Sequence, residues 1–208
     1  FLRRPISINM VDRDTNQLWL LVAAVGDGTR RLARLKGGDT LNCMLPLGNG
    51  FTLPETVAEH ILLVGGGVGV APLLYMGRVM SDMGCQPTFL LGARSAGDLL
   101  MLDEFNKYGR VCVTTEDGTA GEKGFVTGHS ILSSETFDRI STCGPKPMMM
   151  AVARYAARTG TDCEVSLENK MACGVGACLC CVEGTDEGNL CVCKEGPVFN
   201  TKKLLWQI

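Results

Sequence analysis

Apolar residues along this chain follow two successive rhythms and then lose both. Over residues 1–52, apolar and β-branched runs at 2–9, 17–25 and 40–45 are bounded by turn residues, a pattern that predicts strands. A basic amphipathic piece at 29–35 interrupts them and ends at the Lys36-Gly37-Gly38-Asp39 turn. From 55 to 168 the pattern changes. Continuous apolar runs at 60–64, 86–91, 110–114, 137–143 and 162–167 recur at roughly 25-residue intervals, the spacing of βαβ units. Helical stretches at 71–83, 98–108 and 145–158 lie between them. Strands apolar on both faces, alternating with helices, predict a parallel α/β sheet covered on both sides. Residues 169–208 are Gly- and Cys-rich and irregular, too short to bury a core of their own, so a metal group is the expected staple. Three units are therefore expected, at 1–54, 55–168 and 169–208.

Composition narrows the function. With a net charge of −2 over 208 residues, nothing favours a nucleic-acid partner. The apolar runs are too short to cross a bilayer and no leader pattern opens the chain, so no membrane partner and a cytoplasmic location are expected. Phe1 falls inside an expected strand, so further residues are expected upstream.

Of 11 cysteines, Cys173, Cys178, Cys180, Cys181, Cys191 and Cys193 crowd the third unit. The order Cys173-x4-Cys178-x2-Cys181 with a later cysteine matches the plant-type [2Fe–2S] spacing. Thiolates stabilise ferric iron, and Gly174 and Gly176 free the loop to bring backbone close to the sulfurs. Disulfides do not suit a cytosolic chain, and a structural zinc site, which usually shows paired C-x2-4-C knuckles, is the weaker alternative. Cys180 and Cys191 read as free, buried thiols, and Cys43, Cys85, Cys112 and Cys163 as core residues.

Two loops carry further candidates. Gly65, Gly66, Gly67 and Gly69 follow a strand and open a helix with Pro72 in its first turn, where a pyrophosphate can approach backbone N–H groups. Val70 breaks the strict G-x-G-x-x-G pattern, and a purely structural turn is the alternative. Cys143, Gly144 and Pro145 sit at the end of the fourth expected strand of the sheet, on the edge where α/β ligands bind, or form a plain strand-to-helix turn. In the β-rich unit, Arg4, Pro5, Ile6 and Ser7 put a guanidinium and a hydroxyl on a strand, and Gly28 and Thr29 begin a helical piece whose N–H groups can meet phosphate.

Together these strings resemble the ferredoxin–NADP reductase superfamily and, within it, the electron-transfer subunits of NAD-dependent (class 1B) dihydroorotate dehydrogenases. Arg4-Pro5-Ile6-Ser7, Pro46-Leu47-Gly48-Asn49-Gly50-Phe51, the 65–72 turn, Cys143-Gly144-Pro145-Lys146-Pro147-Met148 and Ser166-Leu167-Glu168 carry the resemblance. Most specific are Met171-Ala172-Cys173-Gly174-Val175-Gly176-Ala177-Cys178 and Cys193-Lys194-Glu195-Gly196-Pro197-Val198-Phe199. The resemblance implies an all-β flavin barrel, N-terminally incomplete here, followed by an NAD-binding α/β domain and a [2Fe–2S] segment. It implies FAD held by Arg4, Pro5, Ile6 and Ser7, by the backbone of Leu21, Val22 and Ala23, and by Gly28 and Thr29. It also selects Cys193 as the fourth cluster ligand beside Cys173, Cys178 and Cys181. The chain departs from the superfamily at Ile6, where many members place an aromatic, and at Leu45, where glycine is commoner.

The implied activity is a relay in pyrimidine biosynthesis. Electrons from an FMN-containing dihydroorotate dehydrogenase catalytic subunit pass through the [2Fe–2S] cluster and FAD to NAD+, in a complex holding two copies of each subunit. No side chain here is expected to act as a catalytic acid or base. Phe199 or Trp206 is an expected anchor for the partner. The rivals are the small subunit of an NADH-dependent ferredoxin reductase or sulfide dehydrogenase, and a redox carrier or sensor without turnover.

Overall fold

The computed structural model describes residues 3–207. Its centre is a seven-stranded sheet whose strands come from both sides of the chain's midpoint. In chain order the elements are β1 (Ile8–Asp12), β2 (Gln17–Leu20), α1 (Asp27–Leu32), β3 (Ile61–Gly66), α2 (Ala71–Asp82), β4 (Thr88–Ala93), α3 (Leu102–Phe105) and β5 (Arg110–Thr115). They continue with β6 (Glu122–Lys123), α4 (Ile131–Ser134), β7 (Arg139–Cys143), α5 (Lys146–Thr159), β8 (Asp162–Ser166), β9 (Val182–Thr185), β10 (Gly188–Cys191) and β11 (Val198–Asn200).

The sheet order is β11-β8-β7-β3-β4-β5-β6, parallel except for β11, which runs antiparallel to β8. Strand β3 is buried along its whole length, and its side chains divide between two cores. Ile61 and Leu63 pack under α2 with Phe89 and Leu91, whereas Leu62 and Val64 pack under α5 with Leu90 and Ile140. That division is the period-2 alternation of a strand covered on both faces. Helix α5 buries Met149, Val152, Ala153 and Ala156, the i, i+3, i+4, i+7 stripe of an amphipathic helix, and stops at Gly160 with φ +70°. Helix α2 lies so close to β4 that a Cβ at Gly77 would overlap the Phe89 ring. Among the described residues no helix is long and apolar enough to cross a membrane.

Three expectations need correction. The helix expected at 98–108 contracts to α3. Ser95 and Asp98 close a separate turn first, and Met101, with φ +58°, breaks the helical path just before Leu102. The run at 40–45 forms no strand, because no neighbouring strand pairs with it, and Leu41, Met44 and Leu45 lie exposed. Of the first expected strand, Phe1 and Leu2 lie outside the described residues and strand geometry begins at Ile8. Among residues 3–54 the regular elements are one antiparallel hairpin and one short helix.

That hairpin is anchored on helix α2. Asn9 donates to the carbonyl of Ala71 (3.0 Å), and Arg78 of α2 donates back to Val11 (2.9 Å). Below it, buried Glu164 of β8 accepts from the amide and hydroxyl of Thr52, while Arg139 donates to the Thr52 carbonyl (3.1 Å). These bonds tie the connecting segment to the sheet.

Candidate cofactor-binding site

The cysteine segment is folded back along the sheet edge. After Ser166 the chain runs through the cysteine loop, turns through the β9–β10 hairpin, and returns as β11 beside β8. Phe199 is thereby buried in a core with Met149, Val165, Cys181 and Cys193. A Cβ at Gly196 would overlap its ring, so Phe199 is a core residue and not the surface anchor expected of it. Trp206 is half-buried, its indole N–H donating to Glu183 (3.2 Å) and its ring facing Lys146.

Backbone amides converge on the thiols. Val175 donates to Cys173 Sγ (3.4 Å), Gly176 to Cys193 Sγ (3.2 Å) and Cys193 to Cys181 Sγ (3.4 Å). Gly174 and Gly176 both have φ +76°, the left-handed geometry glycine tolerates, and it turns these amides inward. Hydrogen bonds from the Val175 and Cys178 amides and the Cys178 side chain hold the Cys173 thiol down to about 6. Burial, with a hydrogen bond shared with Cys181, pushes Cys193 up to about 11. Cys180 and Cys43 are exposed, not buried as expected, whereas Cys191 is buried and its thiol donates to the Gly176 carbonyl at 3.8 Å.

This donor set fits a [2Fe–2S] group. Cys178 hydrogen-bonds to Cys173 and Cys193 to Cys181, and N–H groups aimed at sulfur stabilise the anionic thiolates such a cluster requires. Among the described residues no three His, Cys, Asp or Glu are gathered closely enough to hold a single metal ion. A two-iron cluster asks instead for four cysteines shared between two irons.

The two glycine-bearing loops meet at the end of β3. A Cβ at Gly69 would lie 2.6 Å from the Cys143 carbonyl oxygen and also crowd Gly144, and one at Gly66 would lie 2.6 Å from Met148 Sδ. Gly65 is pressed against Val70 and Leu73. Three of the four expected cradle glycines are thus demanded by the chain's own packing, and Gly67, with φ +54° and open space beside it, is the one that faces outward. Gly144, with φ +157°, lies against Gly66. Burial pushes the Cys143 thiol up to about 12, against a hydrogen bond with Ser166. Buried Thr114 and Thr142 hydroxyls nearby have no partner within the chain, and Gly92 is packed close, since a Cβ there would lie 2.6 Å from Val126 Cγ1 and 3.4 Å from Thr114 Oγ1. Register places Gly66, Gly92 and Thr114 in one row across the carboxyl edge of the sheet.

In the N-terminal region the structure brings Arg4 to Gly28. A Cβ at Gly28 would sit 3.0 Å from Arg4 Nε. Helix α1 begins at Asp27, so Gly28 lies inside its first turn. The Thr29 hydroxyl accepts from the Gly26 amide (3.0 Å). Pro5, Ile6, Leu21, Val22 and Ala23 are half-buried, and Ser7 is exposed. A guanidinium beside a glycine of a helix's first turn fits a phosphate-bearing flavin nucleotide. Residues that motif reading missed are Thr52, Glu164 and Arg139, whose contacts join distant segments, and Asn49, which the Pro46–Phe51 string contained without a role.

Comparison with known proteins agrees with this layout. Residues 63–154 match a family described as the oxidoreductase NAD-binding domain, and 168–205 match the iron-sulfur cluster binding domain of dihydroorotate dehydrogenase B. A dihydroorotate dehydrogenase B (NAD(+)) electron transfer subunit from Shouchella clausii is 42% identical over 204 residues, covering 95% of this chain and 78% of that protein. The Listeria monocytogenes serotype 4b protein of the same name is 42% identical over 207 residues, covering 98% and 81%. A solved structure of an NADH-dependent reduced ferredoxin-NADP oxidoreductase superposes with TM-score 0.86 at 32% identity, covering 97% of this chain and 74% of that one. The flavohem-like FAD/NAD-binding domain of a Vibrio cholerae nitric oxide dioxygenase (TM-score 0.64, 20% identity, 77% and 75% covered) shares the fold alone. With a cluster loop, an NAD-type sheet and relatives this similar over nearly its full length, the chain belongs to the family of dihydroorotate dehydrogenase B electron transfer subunits.

Proposed function

We propose that this chain passes electrons from a dihydroorotate-oxidising, FMN-containing subunit to NAD+ in pyrimidine biosynthesis, as one of two such subunits in a cytoplasmic heterotetramer. When bound, the [2Fe–2S] cluster supplies one-electron transfer and FAD the step between single electrons and the hydride that NAD+ takes up. The observation that carries the reading is the Cys173–Cys181 loop with Cys193 folded back onto it, the sulfurs of Cys173, Cys181 and Cys193 each accepting a backbone N–H.

The division of labour follows the three expected units. Residues 1–54 would hold FAD, with Arg4 and Gly28 at its phosphates and Pro5, Ile6, Ser7, Leu21, Val22, Ala23 and Thr29 along its length. Residues 55–168 would hold NAD+ at the carboxyl edge, where Gly67 exposes backbone and the Cys143-Gly144-Pro145 loop closes the floor. Residues 169–208 would hold the cluster through Cys173, Cys178, Cys181 and Cys193. The protein's own contribution is position, exclusion of water and fixed N–H dipoles.

Co-expression with an FMN-containing dihydroorotate dehydrogenase subunit tests the proposal. The purified complex should reduce NAD+ with dihydroorotate as donor, and either subunit alone should not. A second reading has one specific support, the likeness to an NADH-dependent reduced ferredoxin-NADP oxidoreductase. Under it, reduced ferredoxin and not dihydroorotate drives NAD+ reduction by the assembled enzyme.

A further inference from the structure

We propose that Asn49 is a positioning residue for the iron–sulfur cluster, fixing the course of the chain that carries Cys193 and joining it to the flavin-side segment. The inference rests on the cluster reading above and adds a residue outside the cysteine segment to the cluster's support.

The cysteine segment is braced from within, the Lys194 and Glu195 amides donating to the Cys191 carbonyl (2.9 Å each), and also from outside. Its last ligand, Cys193, is followed by three carbonyls that all turn to one residue from the other end of the protein. Asn49 Nδ2 donates to the Lys194 carbonyl (3.3 Å) and the Glu195 carbonyl (3.0 Å), and its backbone N–H donates to the Gly196 carbonyl (2.6 Å). Its own carbonyl accepts from Val198 (3.4 Å), so one residue forms a short parallel bridge with the chain leaving the cluster.

The approach is a close one. Gly48, with φ +67°, lies so near that a Cβ there would overlap the Gly196 carbonyl oxygen. One residue earlier, Leu47 reaches across to the other half of the loop, 3.3 Å from where a Cβ on Gly174 would stand. Segment 44–49 therefore touches the loop before and after its metal-facing centre.

The consequence for the cluster runs through two further bonds. Cys193 Sγ accepts from Gly176, and the Cys193 amide donates to Cys181 Sγ. Both depend on where the backbone of Cys193 lies, and that backbone is continuous with the three carbonyls Asn49 holds. Partners that orient a ligand from outside its coordination sphere commonly change metal affinity by about 10- to 100-fold when removed. Hydrogen bonds at the sulfurs also set cluster potential.

The test compares Asn49→Leu, which keeps the volume and removes both side-chain donors, with Asn49→Asp, which sets a carboxylate against the two carbonyls. Both are made in the full chain purified anaerobically with its partner subunit. Iron and acid-labile sulfide in the unaltered protein test the cluster reading independently. Given a loaded cluster there, both variants should release iron to a ferrous chelator about tenfold faster. Their reduced-state electron paramagnetic resonance signals should be shifted or broadened. A packing role alone would lower the melting temperature and leave the resonance lines where they were. Unchanged resonance and unchanged iron release in both variants overturn the inference while leaving the cluster reading intact.

Discussion

The amide of Gly176 points at the sulfur of Cys193, 3.2 Å away across a gap of 17 residues. The bond exists because Gly176 adopts φ +76°, a conformation that costs other residues about 1–2 kcal/mol. A Cβ there would also sit 3.2 Å from Lys194 Cδ. Gly176→Ala should therefore lower cluster occupancy, and serine at Cys173, Cys178, Cys181 or Cys193 should abolish the visible absorbance. Cys180→Ser, at an exposed side chain, should leave it in place. Iron and sulfide analysis, expected at about two of each per chain, provides the check. Stoichiometric zinc without sulfide would sink the cluster assignment.

Nucleotide choice follows from the loops after β4 and β5. The Asp117 amide donates to the Arg94 carbonyl (3.2 Å), and the amide of neighbouring Glu116 donates to Ala93 (3.1 Å). This sets the backbone of two acidic residues beside that of Arg94, unfavourable ground for a 2′-phosphate. NADH should be preferred over NADPH by about tenfold or more, the 1.4 kcal/mol scale of one good hydrogen bond to a charged group. Steady-state dye reduction with both nucleotides measures it. Equal turnover numbers and Michaelis constants would refute it.

Much of the α/β unit was legible in advance because its strands are continuous apolar runs and its two long helices carry full amphipathic stripes. Helix α5 starts within one residue of its expected beginning for that reason. What stayed hidden depends on contacts between distant residues. Strand β6 is two residues long and exists only by pairing with Thr114 and Thr115. Phe199 reads as a surface aromatic in a Cys-rich tail until β11 is seen to pair with β8. The cysteine spacing was visible in one short string, whereas Asn49 lies 145 residues from the carbonyl it holds at Lys194. Local pattern carries no trace of such a bond.

The buried Cys163 thiol and the half-buried Cys143 thiol give the protein a stability limit in alkali. Burial pushes Cys143 and Cys163 each up to about 12, from a starting value of 9.0. Above pH ~9 the unfolded chain loses these protons while the folded chain keeps them. Stability from this source is complete below that pH and falls as pH rises towards 12. The slope is at most about 1.4 kcal/mol per pH unit for each thiol. Denaturant midpoints between pH 8 and 10.5 should fall more steeply for the unaltered protein than for the Cys143→Ala/Cys163→Ala double variant. Identical slopes would show that these thiols do not set the limit.

The partner surface is expected around the cluster's outer rim. An electron relay needs its cluster close to the partner's flavin, so the residues over the cysteine loop must face the other subunit. Among the described residues, Val175 and Leu179 of the cysteine loop are 54% and 62% exposed, and Leu205, against Gly184 of the neighbouring β9–β10 hairpin, is 69% exposed, unusual company for a solvent-facing region. Leu205 is held in place by its amide bond to the Gly184 carbonyl (3.2 Å) and its side chain lies against Gly184, so it projects from an ordered backbone. Phe199 is 5% exposed and cannot serve this purpose without unfolding β11. Leu205→Asp should weaken association with an FMN-containing dihydroorotate dehydrogenase subunit by about tenfold or more, since a charge set into an apolar contact loses both the burial and the pairing. Iron content should stay at the unaltered level, because the Leu205 side chain lies against Gly184 of the β9–β10 hairpin. Phe199→Ala should instead destabilise the chain itself by about 3–5 kcal/mol, as loss of a buried aromatic does. Titration of each variant against the partner, followed by dihydroorotate-dependent NAD+ reduction, separates the two effects. If Leu205→Asp binds the partner as tightly as the unaltered chain does, the interface lies elsewhere on the molecule.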